Sequence, residues 1–345
     1  MQETSKTFSL RELFTHVKPA TNIAKLLSLG FGIILISWLL AQLEWKATFE
    51  ILRNVPISLL FFGFLCYAAS FYLRAARFKL LLPQNKQIAH LFPIVLVHYT
   101  ALNIIPARLG ELSYVYLLKK VNNISTGYSL ASLVLARVFD QIAISFLFLI
   151  SLGFVTLPSH WLKNLSLLIG GLLITTCGML LLILAYKEKC VLFLKHCIRM
   201  FGWDRYNVVQ RVIHEIEGVV AAFRESRIKN YPGKILGTSL VIWISIFSLN
   251  YLLLKAFHVH LSYVEVILTS TVIILLTVLP LQILSGFGIR ETTWVFIAMT
   301  LGVPRRIAIT AVLGTRIIST IFLCLFCLYG LWRLQDSFNH PLKKT

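Results

Sequence analysis

Residues 127–155 read GYSLASLVLARVFDQIAISFLFLISLGFV, a run of 29 with one arginine and one aspartate. A bilayer core is crossed by roughly 20 apolar residues in a helix, because only a helix or a closed barrel satisfies every backbone group without water. Comparable runs occur at 24–43, 55–73, 165–186, 235–257 and 307–333. They are continuous rather than alternating, which argues against a membrane barrel. The whole chain is 57% hydrophobic and 14% charged, with a mean hydropathy of +0.79. A soluble domain carries roughly 25% charged residues. The expected fold is all-α: a polytopic membrane helix bundle with about six full spans.

Two further apolar segments break in the middle. Residues 88–106 run into PARLGE, and 263–284 run into LSGFGIRE. Each leads into a short helical stretch, 109–120 and 289–301. About 12 residues at 1.5 Å each reach only about 18 Å, too short to cross. Each broken segment is therefore expected to be a re-entrant hairpin. Pro106 and Pro280 would end the entering helix, since proline lacks a donor and clashes with the preceding turn. Gly110, Gly286 and Gly288 would permit the tight turn or a close backbone approach.

Lysine and arginine set the orientation. The stretches 1–23, 74–87, 119–120, 187–234 and 333–345 hold 22 of the 33, and the opposite side holds 6. That bias places both termini in the cytoplasm. The first hairpin would then enter from the cytoplasm and the second from the far side. Residues 55–155 and 235–333 thereby form an inverted repeat, with the site expected where the broken segments meet. The membrane domain is expected over 24–335, between a cytoplasmic segment 1–23 and a tail 336–345. The first run is read as a retained helix rather than a cleaved signal, because 1–23 is polar and no small-residue cleavage site follows. In the loop 187–234, apolar residues from Val208 to Phe223 recur at helical spacing. That helix either lies on the membrane surface or packs on neighbouring loops. The net charge of +19 fits the positive-inside bias and anionic lipid, and no motif points to nucleic acid.

The charged residues at membrane depth are the candidate binding groups. Arg108 and Glu111 lie in the first hairpin with Asn103; Arg290 and Glu291 lie in the second with Ser285. Amides freed at the start of each returning helix carry partial positive charge, and an arginine fork suits phosphate. Glu111 is expected to pair with Arg108 or to titrate. Arg137 and Asp140, three apart, share a helix face and can pair. Arg316 lies in the last run. Such charges face a bundle interior or a wet cavity, because one at the bilayer centre costs at least about 2.5–3.5 kcal/mol. Together they describe an anion site, and the expected partner is an anionic membrane lipid. His98 is a second-rank candidate. His258 and His260 lack a cluster of further ligands, so no metal is expected. The six cysteines, including Cys324 and Cys327, read as small packing residues. Neither a phosphate-binding G-x-x-x-x-G-K-[ST] loop nor a G-x-S-x-G elbow occurs, and no cofactor or enzymatic activity is expected.

NIIPARLGE (103–111), ARVFD (136–140), LPLQILSGFGIRE (279–291) and Arg316 resemble the lysylphosphatidylglycerol synthase transmembrane family, also called the flippase-like domain family. The resemblance covers about 20–335. It implies a bacterial inner-membrane protein that moves lipids, or presents them to a separate lipid-modifying enzyme such as a glycosyltransferase or synthase. Some relatives carry a fused aminoacyl-lipid synthase. This sequence stops soon after the last run, so lysyl transfer is not expected. Ala136 and Tyr114 stand where relatives often have a glutamate and a basic residue.

Overall fold

The computed structural model describes residues 53, 55–83, 88–105, 110–155, 160–186, 200, 231–276 and 289–339. These are helical, in the order α1 (Ile57–Leu81), α2 (Leu91–Ile104), α3 (Glu111–Asn122), α4 (Thr126–Phe154), α5 (His160–Ala185), α6 (Pro232–Ala256), α7 (Tyr263–Leu276), α8 (Ile289–Thr300) and α9 (Arg305–Asn339). Four of them, α1, α4, α6 and α9, are long and apolar enough to cross a membrane. They match four of the six expected spans, and the apolar helix α5 overlaps the fifth, 165–186. The run at 24–43 and the amphipathic stretch 208–223 lie outside the described residues. The chain is a multi-pass helical membrane protein.

Helix limits follow local chemistry. Leu82 and Ile105 are both extended, as residues before a proline must be; they precede Pro83 and Pro106. Asn123 closes α3 in the left-handed region at φ 51°, a conformation asparagine tolerates. Ser262 and Glu265 cap α7 reciprocally: the Ser262 N–H donates to Glu265 Oε2 at 2.7 Å and the Glu265 N–H to Ser262 Oγ at 3.3 Å. Two orphan amides are thereby satisfied where the helix begins.

One expected boundary is corrected. The helix begun by the first described span does not stop at residue 73 but runs to Leu81, so Arg74 and Arg77 lie in a packed helix rather than in a loop. They are 6% and 0% exposed. Ser70, Arg74, Arg77 and Leu81 share the buried face at helical spacing.

The α2–α3 hairpin is antiparallel and tightly closed. The Ala89 N–H donates to Asn122 Oδ1 at 2.7 Å, and His98 Nδ1 lies 3.2 Å from Ser113 Oγ. A Cβ on Gly110 would stand 2.5 Å from the Ala101 carbonyl oxygen, so only glycine permits this approach. The open ends of the hairpin, residues 89 and 122, therefore lie side by side.

Helices α1 and α6 pack along their length and run antiparallel: Gly63 faces Leu249 and Leu253, while Arg77 reaches Ser239. Around them the packing is paired. Helix α2 packs on α1, α3 and α9; correspondingly, α7 packs on α6, α8 and α4. Helix α3 meets α4 as α8 meets α9. The larger core joins Phe71, Phe78, Leu96, Tyr114, Leu118, Leu135 and Phe326. A second joins Leu254, Phe257, Val266, Val295, Ala298 and Val312.

Candidate functional site

Glu111 is the first residue of α3, and its Oε1 accepts from Arg137 Nη2 at 3.2 Å. Glu291 falls in the first turn of α8, and its Oε1 lies 3.7 Å from Arg316 Nε. Both pairs join the helix that returns from a broken segment to the long helix that follows it. Glutamate and arginine stand 26 residues apart in one case and 25 in the other. The two pairs differ in exposure. The Arg137 and Glu111 side chains are 43% and 31% accessible, against 15% and 3% for Arg316 and Glu291.

Arg137 and Asp140, able to pair by their spacing, take other partners. Asp140 is buried and is held from another helix. Arg77 Nη1 donates to its Oδ1 at 2.5 Å and Nη2 to its Oδ2 at 3.0 Å, while Trp243 Nε1 donates to Oδ1 at 2.8 Å. Arg77 Nη1 also donates to Ser239 Oγ at 2.8 Å. This network ties α1, α4 and α6 together. A bidentate fork satisfies a buried carboxylate better than a neighbour on the same helix can, and Arg137 is thereby left for Glu111.

Arg74 lies one turn before Arg77. Its guanidinium carbon is 4.2 Å from the Tyr99 ring centroid and 6.0 Å from that of Trp243, which is cation–π geometry. Tyr67 stands within electrostatic reach of Arg74, Arg290 and Arg316. Ring contacts run from Tyr67 to Phe71 at 4.7 Å and from Phe71 to Tyr99 at 6.0 Å. The rings of Tyr67, Phe71 and Tyr99 thus form a row along α1 and α2, with Arg74 against its Tyr99 end.

Of the other expected residues, Asn103 donates to the Tyr99 carbonyl at 2.8 Å, so one of its donors serves its own helix. His98 is fully buried between Tyr99 and Tyr114, 5.0 and 5.2 Å away by ring centroids. Gly110 fills the role expected of it. Pro106, Arg108, Pro280, Ser285, Gly286 and Gly288 lie outside the described residues. Sequence reading passed over Arg74, Arg77 and Trp243. The signal for the arginines was present: no helix breaker separates residues 57–82, and the first stop is Pro83.

The profile of the family described as Lysylphosphatidylglycerol synthase TM region matches residues 25–327. The chain belongs to this family. The match takes in both Glu–Arg pairs and the Arg77–Asp140 network. No curated protein matches the sequence. Family membership and the apolar helices make this a lipid-related membrane protein.

Proposed function

We propose that this protein is flippase-like: it binds the anionic, phosphate-bearing headgroup of a membrane lipid and carries it across the bilayer. The carrying observation is the repeated Glu–Arg pair, Glu111–Arg137 and Glu291–Arg316. A pair at the mouth of each returning helix is a replaceable contact. Phosphate oxygens compete with the glutamate for the same guanidinium, and each carboxylate holds its arginine when no headgroup is present. Arg290 adds positive charge in the first turn of α8 and Arg108 precedes Glu111 by three residues in sequence; backbone amides at a helix start also favour anions. The acyl chains stay in lipid.

On this reading both broken segments are re-entrant and the two halves form an inverted repeat. The antiparallel α1–α6 contact and the adjacent open ends of the α2–α3 hairpin support it. Alternating access would be a rocking of one half against the other about α1 and α6. The site belongs to an inner membrane, with both termini cytoplasmic, and the chemistry is transfer of position rather than of covalent bonds.

The test is translocation of a fluorescent anionic phospholipid in proteoliposomes. Arg137→Ala and Arg316→Ala should each slow it about tenfold or more, the effect of losing one charged contact of about 1.5–3 kcal/mol. Unchanged rates in folded variants would sink the site. Binding without movement would give the same residues to presentation of lipid to a separate enzyme.

A further inference from the structure

Arg74 is a buried cation whose donors meet no acceptor. It is 6% exposed, yet among the described residues no carboxylate pairs with it and no oxygen takes up its N–H groups. Its guanidinium lies against ring faces instead, Tyr99 at 4.2 Å and Trp243 at 6.0 Å. A ring face attracts the charge but leaves the N–H donors along the guanidinium edge unsatisfied, and a buried charged donor without an acceptor is costly. Arg77, one turn on, shows the contrast: Asp140 and Ser239 accept from its terminal nitrogens. The two arginines also differ in access. Arg77 Nε is sealed without a partner, as is His98 Nε2, whereas no Arg74 nitrogen is sealed. The rings that hold Arg74 are themselves held. Trp243 Nε1 donates to Asp140 at 2.8 Å, and Phe71 and His98 stand 6.0 and 5.0 Å from the Tyr99 ring. Tyr99 comes from α2, one turn before Asn103, and Trp243 from α6. The result is a pre-oriented guanidinium with an open edge, framed by three helices.

We infer that Arg74 is a docking point for the phosphate of a lipid headgroup, with Tyr99 and Trp243 holding the guanidinium flat so that its N–H edge meets a pair of phosphate oxygens. This inference rests on the headgroup site proposed above and adds to it the contact that sets affinity. Arg137 and Arg316 each stand beside a glutamate, so phosphate gains there only what is left after the carboxylate is displaced. Arg74 has no carboxylate to give up, and its orientation is fixed before the ligand arrives, which removes part of the ordering cost of binding. A planar fork matches phosphate oxygens in pairs, as the point charge of lysine does not. Arg74 is thus a specificity-determining residue for phosphate, distinct from the Glu–Arg pairs and from the Arg77–Asp140 clamp.

The experiment measures binding of three probes to the full chain in detergent: dioctanoyl phosphatidylglycerol, dioctanoylglycerol and inorganic phosphate. Calorimetry gives the affinity and tryptophan emission the location. The phosphatidylglycerol should bind about tenfold or more tighter than dioctanoylglycerol, which has the same tails and no phosphate. It should also shift the emission, and Trp243→Phe should remove most of that shift. Arg74→Gln should weaken phosphatidylglycerol binding about tenfold or more, and by more than Arg137→Ala does. Arg74→Lys keeps the charge but loses the fork, and should remain at least about threefold weaker than the unaltered protein. Full affinity in both Arg74 variants, with a loss in Arg137→Ala, overturns the docking point and leaves the Glu–Arg site standing. Equal binding of the two lipids by the unaltered protein overturns both. Full affinity in the lysine variant alone overturns the fork in favour of simple charge. Inorganic phosphate binding as tightly as the phosphatidylglycerol overturns the lipid source in favour of a soluble anion. If Arg74→Gln does not fold, the lysine variant and the Trp243 emission decide the assignment.

Discussion

The two halves carry the same Glu–Arg pair, yet among the described residues only one of them adds a buried clamp. Asp140 on α4 corresponds in position, three residues after the paired arginine, to Ser319 on α9. Asp140 binds Arg77 and Trp243 across three helices, whereas Ser319 Oγ donates to the Arg316 carbonyl of its own helix at 3.0 Å. The clamp adds one arginine and one aspartate, so it changes rigidity and leaves charge alone. It fastens α4 of the first half to α1 and α6. The corresponding α9 meets α1 through rings: Phe64 with Phe322 at 5.2 Å, and Phe64 stacked on Phe326 at 5.0 Å. A polar three-helix tie resists sliding, since any shift strands a buried charge. Ring contacts can slide with little penalty. On the proposed rocking of one half against the other, α4 would therefore be the anchored element and α9 the freer one.

This contrast can be broken at its strongest point. Asp140→Ala leaves Arg77 charged and buried, and should destabilise the protein by about 3–5 kcal/mol in denaturant titration in mixed micelles. Ser319→Ala should stay within about 0.5 kcal/mol. Equal losses would mean that the halves are not mechanically different.

A smaller effect is expected at two glycines. A Cβ on Gly110 meets the Ala101 backbone at 2.5 Å, while on Gly314 it would meet the tip of the Phe257 ring. Backbone cannot rotate away but a ring can. Gly110→Ala should cost about 1–3 kcal/mol, and Gly314→Ala less, with the same titration as readout. The reverse order would place the tighter helix contact in the second half.

The smallest effect separates the two Glu–Arg pairs themselves. Double-mutant cycles to alanine should give about 0.2–1 kcal/mol of coupling for Glu111–Arg137, which is accessible. Glu291–Arg316 should exceed it, because both side chains are more buried and less screened. A larger coupling in the first pair would show that accessibility does not govern their strength.

Much of the fold was legible because membrane helices announce themselves locally. The runs beginning at 55, 127, 235 and 307 became helices, and the short pieces 109–120 and 289–301 became α3 and α8 within two residues of the expected limits. Gly110 and Pro106 signalled a break, and α2 ends at Ile104. The pairing of charges was less legible. Three-residue spacing favoured Arg137 with Asp140, but spacing along one helix says nothing of what another helix brings to the same place. Arg74 and Arg77 were read as loop residues for the same reason: a charge ends an apolar run in sequence, and only a partner makes it tolerable inside.

The sequence by itself determined that the chain is a helical membrane protein with two matching interruptions, because hydropathy, proline and glycine act over one or two turns. Tertiary structure alone decided which carboxylate meets which arginine. Charges in a medium of low dielectric are governed by distance in space, and only the packed bundle sets those distances.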